Sequence, residues 1–239
     1  MEKEIEKKIH PLTVLPVKKI NKKQEYNIPK PLPQPAFTLL MVAPTCSGKS
    51  VLLCNMLKNV LYGYDNVFET IYYISPTVML DDTLKAIAKD DEIVKIHDVE
   101  ELEMVDHILS DIVKEQKAKD EDERKNILVV LDDMISYFSN HSVLNNLPAL
   151  SRHYKISFIV LTQVFSALPS RFRKNTTHLI VFKLYNKKDL KAIEDEIGSN
   201  YENFIEDYEK ATKEKYNFLY LNNTDKSVYH NFITKLSKD

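Results

Sequence analysis

Five apolar runs set the rhythm of the chain after residue 36: Phe37–Val42, Thr70–Ser75, Ile127–Leu131, Ile156–Thr162 and Leu179–Leu184. Each is short and bounded by polar or turn-forming residues, the pattern of strands buried on both faces of a parallel sheet. Val94–His97 reads as a further short strand. Between the runs the period changes. Val51–Val60 is amphipathic, and from Val99 to about Lys117 the apolar residues Leu102, Val105, Ile108, Leu109 and Ile112 recur at helical spacing. Ala118–Asn126 is a charged surface loop. Alternation of strand and helix predicts an α/β domain with a mainly parallel central sheet and helices on both faces. The C-terminal stretch Tyr216–Ile233 predicts a β-hairpin turning around Asn222–Asp225. No internal repeat is present.

Residues 1–35 have a different texture. They carry six of the ten prolines and many lysines, and Pro29–Pro35 has to be extended. The division this predicts is an N-terminal arm, 1–35, and a single domain, 36–239. An arm of this composition is either solvated or laid against a neighbouring subunit or DNA phosphates, and composition favours the solvated form. The rest of the 239 residues suffices for one sizeable core. A net charge of −2 gives no global argument for nucleic-acid binding. The two cysteines, Cys46 and Cys54, are too few and too close for a disulfide framework and suit a reducing compartment. The N-terminus lacks the apolar core of a signal peptide, and no run approaches a membrane span.

The chemistry is concentrated at strand ends. Ala43-Pro44-Thr45-Cys46-Ser47-Gly48-Lys49-Ser50 follows the first strand and opens a helix that continues through Val51. Strand, Gly-Lys-Ser loop and helix make a P-loop, whose backbone N–H groups and helix N-terminus face an anion. Lys49 would reach the terminal phosphates of ATP, and the Ser50 hydroxyl would bind Mg²⁺. Ala stands where the P-loop pattern begins with Gly, a mild change beside a strand. Gly48 is one of only three glycines in the chain, which points to a backbone task there. The strand Ile127–Leu131 ends in Asp132-Asp133. That is the place of a carboxylate holding Mg²⁺, Asp132, followed by one that polarises an attacking water, Asp133. The next strand ends in Thr162-Gln163, whose amide can contact both γ-phosphate and water. Arg152, Arg171 and Arg173 are candidates for charge stabilisation on a phosphoryl group, and their spacing does not choose among them.

Taken together, these segments resemble the HerA/FtsK superfamily of DNA-pumping ATPases, and within it the poxvirus-type genome-packaging ATPases of large DNA viruses and virophages. The resemblance spans about residues 37–200. It rests on Ala43–Ser50, the Ile-Tyr-Tyr-Ile-Ser-Pro second strand, Ile127–Asp133, Leu150-Ser151-Arg152 before Ile156–Gln163, and Leu168–Phe182. It implies a RecA-like P-loop NTPase core with an additional strand. It also implies ATP and Mg²⁺ as ligands and a homo-oligomeric ring that drives double-stranded DNA into a capsid, docking on capsid or portal-like vertex proteins and not on a membrane. The implied setting is the host cytoplasm, at the viral factory, and the virion. Carried over by residue, Lys49 and Ser50 take phosphate and Mg²⁺, Asp132 orders the metal and Asp133 is the base. Gln163 is the sensor, and Arg152 reaches a neighbouring subunit's nucleotide. Asp133 stands where many relatives outside the viral branch have Glu, so the water must sit closer.

Two other classes use a P-loop. A small-molecule kinase would need a lid and an acceptor pocket, and the Asp132-Asp133 and Thr162-Gln163 pairs argue against it. A non-catalytic nucleotide-binding assembly subunit is weakened by the intact Lys49, Asp132 and Asp133.

Overall fold

The computed structural model describes residues 26–77, 93–99, 102–134, 137 and 151–236. Residues 1–25, the larger part of the stretch read as an arm, lie outside them. So does Leu150.

The strands are β1 (Thr38–Val42), β2 (Thr70–Ser75), β3 (Val94–Asp98), β4 (Ile127–Asp132), β5 (Ile156–Thr162), β6 (His178–Phe182), β7 (Phe218–Asn222), β8 (Ser227–His230) and β9 (Thr234–Lys235). The described helices are α1 (Lys49–Lys58), α2 (Leu102–Lys117), α3 (Ser170–Lys174), α4 (Lys187–Glu196) and α5 (Phe204–Ala211). All nine strands join one sheet in the order β3-β2-β4-β5-β1-β6-β7-β8-β9. The pairings from β3 to β6 are parallel, and β7, β8 and β9 add on antiparallel as the expected hairpin and a short extra strand. Strand β5 lies between the P-loop strand β1 and the carboxylate strand β4. That is the additional strand the sequence implied.

Period-two alternation sorts the strands' side chains onto two faces. Leu40, Val42, Val129, Leu131, Phe158 and Val160 pack with Val105, Leu109 and Ile112 of α2, Ile193 of α4 and Phe204 and Tyr208 of α5. Leu39, Met41, Leu128, Val130, Ile159 and Leu161 pack on the other face with Leu53, Met56 and Leu57 of α1. The core is therefore two layers, one on each side of the sheet.

The second layer includes residues placed in the arm. Ile28 and Leu32 are buried there beside Tyr64 and Phe68. The Tyr64 hydroxyl donates to the Pro33 carbonyl at 2.7 Å and the Tyr220 hydroxyl to that of Pro31 at 2.9 Å. The proline-rich backbone cannot pair as a strand, so tyrosines from the body satisfy its carbonyls. The approach is close enough that a Cβ on Gly63 would meet the Asn27 carbonyl oxygen at 2.5 Å. Residues 26–35 of the stretch read as an arm therefore pack on the body.

Candidate nucleotide site

Sheet topology gathers the C-terminal ends of β1, β5 and β4 side by side, which is where open α/β sheets bind phosphates. The Ala43 N–H still pairs with the Thr162 carbonyl at 3.0 Å, so Ala43 is the last residue of the ladder and needs no glycine. The turn comes later. Cys46 (φ 58°) and Gly48 (φ 95°) both adopt left-handed conformations. The Ser47 hydroxyl closes the loop by donating to the Pro44 carbonyl at 2.6 Å. Helix α1 starts at Lys49 with no side-chain cap on its first N–H groups, leaving them directed at the loop's mouth.

Lys49 folds back over the loop and donates to the carbonyls of Ala43 at 3.1 Å and Pro44 at 3.2 Å. Burial holds its pKa below the ordinary 10.5, and the charges of Asp132, Asp133 and Cys46 oppose that shift. A partly buried cation facing two carboxylates and a row of N–H donors suits a polyanion with a metal between.

Asp132 closes β4 on the same face as Lys49, buried, and its carboxylate accepts from the Tyr73 hydroxyl at 2.5 Å. Asp133 leaves the sheet with φ 54°, a left-handed conformation that aspartate tolerates, and this turns its side chain toward β5. There the Gln163 amide nitrogen donates to Asp133 at 3.1 Å, while the Gln163 amide oxygen accepts from the Thr45 hydroxyl at 2.9 Å. A continuous relay, Thr45 to Gln163 to Asp133, joins the P-loop to the carboxylate after β4 across the end of the additional strand. Among the described residues no cluster of three or more His, Cys, Asp or Glu side chains could hold a metal unaided. Mg²⁺ needs no such cage when substrate phosphates complete its shell, and Ser50 and Asp132 are the residues that could hold it.

Lys49, Asp132, Asp133 and Gln163 therefore lie together at the C-terminal ends of β1, β4 and β5, and Ser50 follows Lys49 in the first turn of α1. Arg152 does not join them. It is exposed on the helical turn entering β5, at the N-terminal ends of the strands. There it lines an open cleft of about 490 Å³ with Lys174, Thr177, Glu196, Asn223 and Lys226. Arg173 is bound in place: its guanidinium pairs with Glu196 and donates to the carbonyls of Ser166 and Leu168. It ties α3 to α4 and is removed from the candidates for acting on phosphate. Arg171 remains exposed.

Sequence reasoning missed Tyr73. The signal was present in Tyr72-Tyr73 within a buried strand, because one of the two must point to each face and a buried phenol needs a partner.

The sequence model of the Poxvirus A32 protein family matches residues 24–200. The chain belongs to that family. A search of curated proteins finds no match. Among solved structures, the genome packaging NTPase B204 of Sulfolobus turreted icosahedral virus 2, in complex with sulfate, superposes with a TM-score of 0.62 at 15% identity, covering 82% of this chain and 96% of that one. The same protein in complex with ATP-gammaS gives 0.59 at 15% identity, covering 81% and 95%. The pCW3 conjugation coupling protein TcpA, with ATPgS, gives 0.58 at 17% identity, covering 82% of this chain and 60% of that one. These likenesses fix the fold of this A32-family chain as that of RecA-like P-loop ATPases. Its match beginning at residue 24 agrees with the docking of residues 26–35 on the body.

Proposed function

We propose that this A32-family protein is an ATPase that drives double-stranded viral DNA into a capsid as a ring of identical subunits. The observation that supports the catalytic part is the Thr45–Gln163–Asp133 relay, which links a carboxylate to the P-loop, and in this reading that carboxylate is the base for the attacking water. Family membership carries the packaging part, supported by the fold shared with a virus's genome packaging NTPase.

In this reading the backbone N–H groups from Thr45 to Val51 cradle the phosphates, and Lys49 moves from its loop carbonyls to the β- and γ-phosphates. Ser50 and Asp132 hold Mg²⁺, which when bound neutralises charge on the leaving diphosphate. Tyr73 orients Asp132. Gln163 orients the water, and Asp133 takes its proton. Arg152 stands at the wrong end of the sheet for its own nucleotide, so a head-to-tail ring supplies it to the neighbour's γ-phosphate. The domain division becomes an N-terminal segment, 1–25, and an ATPase domain, 26–239. Capsid vertex proteins are the docking partners, in the infected cell's cytoplasm and the virion.

Turnover with and without duplex DNA tests the reading. A packaging motor is stimulated by duplex DNA. Hydrolysis that appears only with a small phosphoryl acceptor would make the protein a kinase, and nucleotide binding without turnover would make it an assembly subunit.

A further inference from the structure

The P-loop has two flanks. On the β5 and β4 side stand Gln163, Asp133 and Asp132. A nucleotide whose terminal phosphate faces them directs its nucleoside to the opposite flank, over β6 and β7. Phe182 at the end of β6 pairs with Phe218 at the start of β7, so the chain leaving β6 and the chain entering β7 meet beside the loop. Each presents a tyrosine outward: Tyr185 is 85% exposed and Tyr216 is 57% exposed.

Tyr216 borders the loop directly, since its ring Cδ1 lies 3.4 Å from where a Cβ on Gly48 would stand. Its backbone is left-handed, φ 70°, a costly conformation for a bulky residue that is typical of ligand clamps. Neighbouring contacts hold it there. The Phe218 N–H donates to the Asn231 side chain at 3.1 Å, and the Asn231 amide donates to Asn217 at 3.2 Å. The Tyr208 hydroxyl accepts from the Leu184 N–H at 2.7 Å and fixes the backbone beside Tyr185. The Lys215 ammonium sits 4.6 Å from the centre of the Tyr216 ring. Its pKa is raised by a hydrogen bond to Tyr216 and by nearby Tyr216, Cys46 and Tyr185.

We propose that Tyr216, with Tyr185 beside it, is the platform on which the purine base of the bound nucleotide stacks. The proposal rests on the P-loop being a triphosphate site. An exposed aromatic ring beside a phosphate cradle offers a base its π-face, and stacking of this kind tolerates adenine and guanine alike. Lys215 then neutralises phosphate charge from above the ring.

The full chain contains no tryptophan, so Tyr216→Trp creates a single emitter at the platform. Stacking predicts that ATP and GTP quench it and that inorganic tripolyphosphate, with the same Mg²⁺, does not. Tyr216→Asn removes the ring but keeps a residue that tolerates the left-handed backbone. It should weaken ATP roughly tenfold and leave tripolyphosphate affinity unchanged, while Tyr216→Phe keeps both. Equal loss of ATP and tripolyphosphate in Tyr216→Asn would make the ring a support for Gly48 and overturn the platform. So would unchanged ATP affinity. A wild-type chain that binds neither probe would instead overturn the phosphate site itself.

Discussion

Asp132 and Asp133 are adjacent, yet their surroundings differ. Asp132 is buried in the strand and held by Tyr73, while Asp133 has turned out of the sheet toward Gln163. Asp133→Asn should leave ATP binding intact and slow hydrolysis by roughly 10²–10⁴-fold, the range for loss of a general base. Asp132→Asn should weaken Mg²⁺-dependent binding. Titration and single-turnover kinetics separate the two, and a reversal of the phenotypes would exchange the roles. Lys49 makes a second prediction. Burial lowers its pKa, and a bound triphosphate favours the charged form and raises it again. Between those two values binding takes up a proton, so ATP affinity should fall as pH rises, beginning below the ordinary lysine value of 10.5. Calorimetry in buffers of different ionisation enthalpy would register the proton. Lys49→Ala should abolish it together with most phosphate affinity.

Strand β6 shows how an element can carry a pH limit. His178 opens it, buried, stacked 6.0 Å from the Tyr220 ring and with Nδ1 2.8 Å from the Thr177 hydroxyl. That hydroxyl donates to the Thr38 carbonyl, so Nδ1–H is the donor to Thr177. Burial lowers the His178 pKa from 6.5 to about 4. The unfolded chain therefore binds the extra proton first. Stability should be complete above about pH 6.5 and decline as pH falls to 4, by about 3 kcal/mol at most. Melting temperatures across that window should slope for the wild type and flatten in His178→Asn. The elements themselves differ in how openly the sequence showed them. Strands β1, β4, β5 and β6 are buried on both faces, so their side chains form unbroken apolar runs. Edge strand β3 keeps Lys95 exposed and reads only as a fragment, and two-residue β9 has no pattern at all. The prolines of 26–35 read as an arm because their partners, Tyr64 and Tyr220, are contributed by distant parts of the chain. The Arg173–Glu196 pair was hidden for the same reason, whereas the P-loop and Asp132-Asp133 were plain because their chemistry is local to strand ends.

At the scale of the whole molecule, the P-loop and Arg152 stand at opposite ends of the strands. Two copies placed head to tail would bring the P-loop of one against the Arg152 end of the next. Arg152→Ala should keep ATP binding and lose turnover by roughly 10³–10⁵-fold, as for arginines acting in trans. Mixing Arg152→Ala with Lys49→Ala subunits should restore part of the activity, because some interfaces then join an intact loop to an intact arginine. A demonstrably mixed ring without recovery would disqualify Arg152 and direct attention to Arg171. The placement of β1 has a further consequence, for the order of events during synthesis. This strand emerges early, but its only ladder partners are β5 and β6. The Phe37 N–H reaches a serine hydroxyl 120 residues later, and the Tyr220 hydroxyl returns to Pro31 across 189. Contacts this distant are slow to close. On the ribosome the phosphate loop stays without its scaffold until β6 has left the exit tunnel, so a growing chain gains its grip on nucleotide only after β5 and β6 are free to pair with β1.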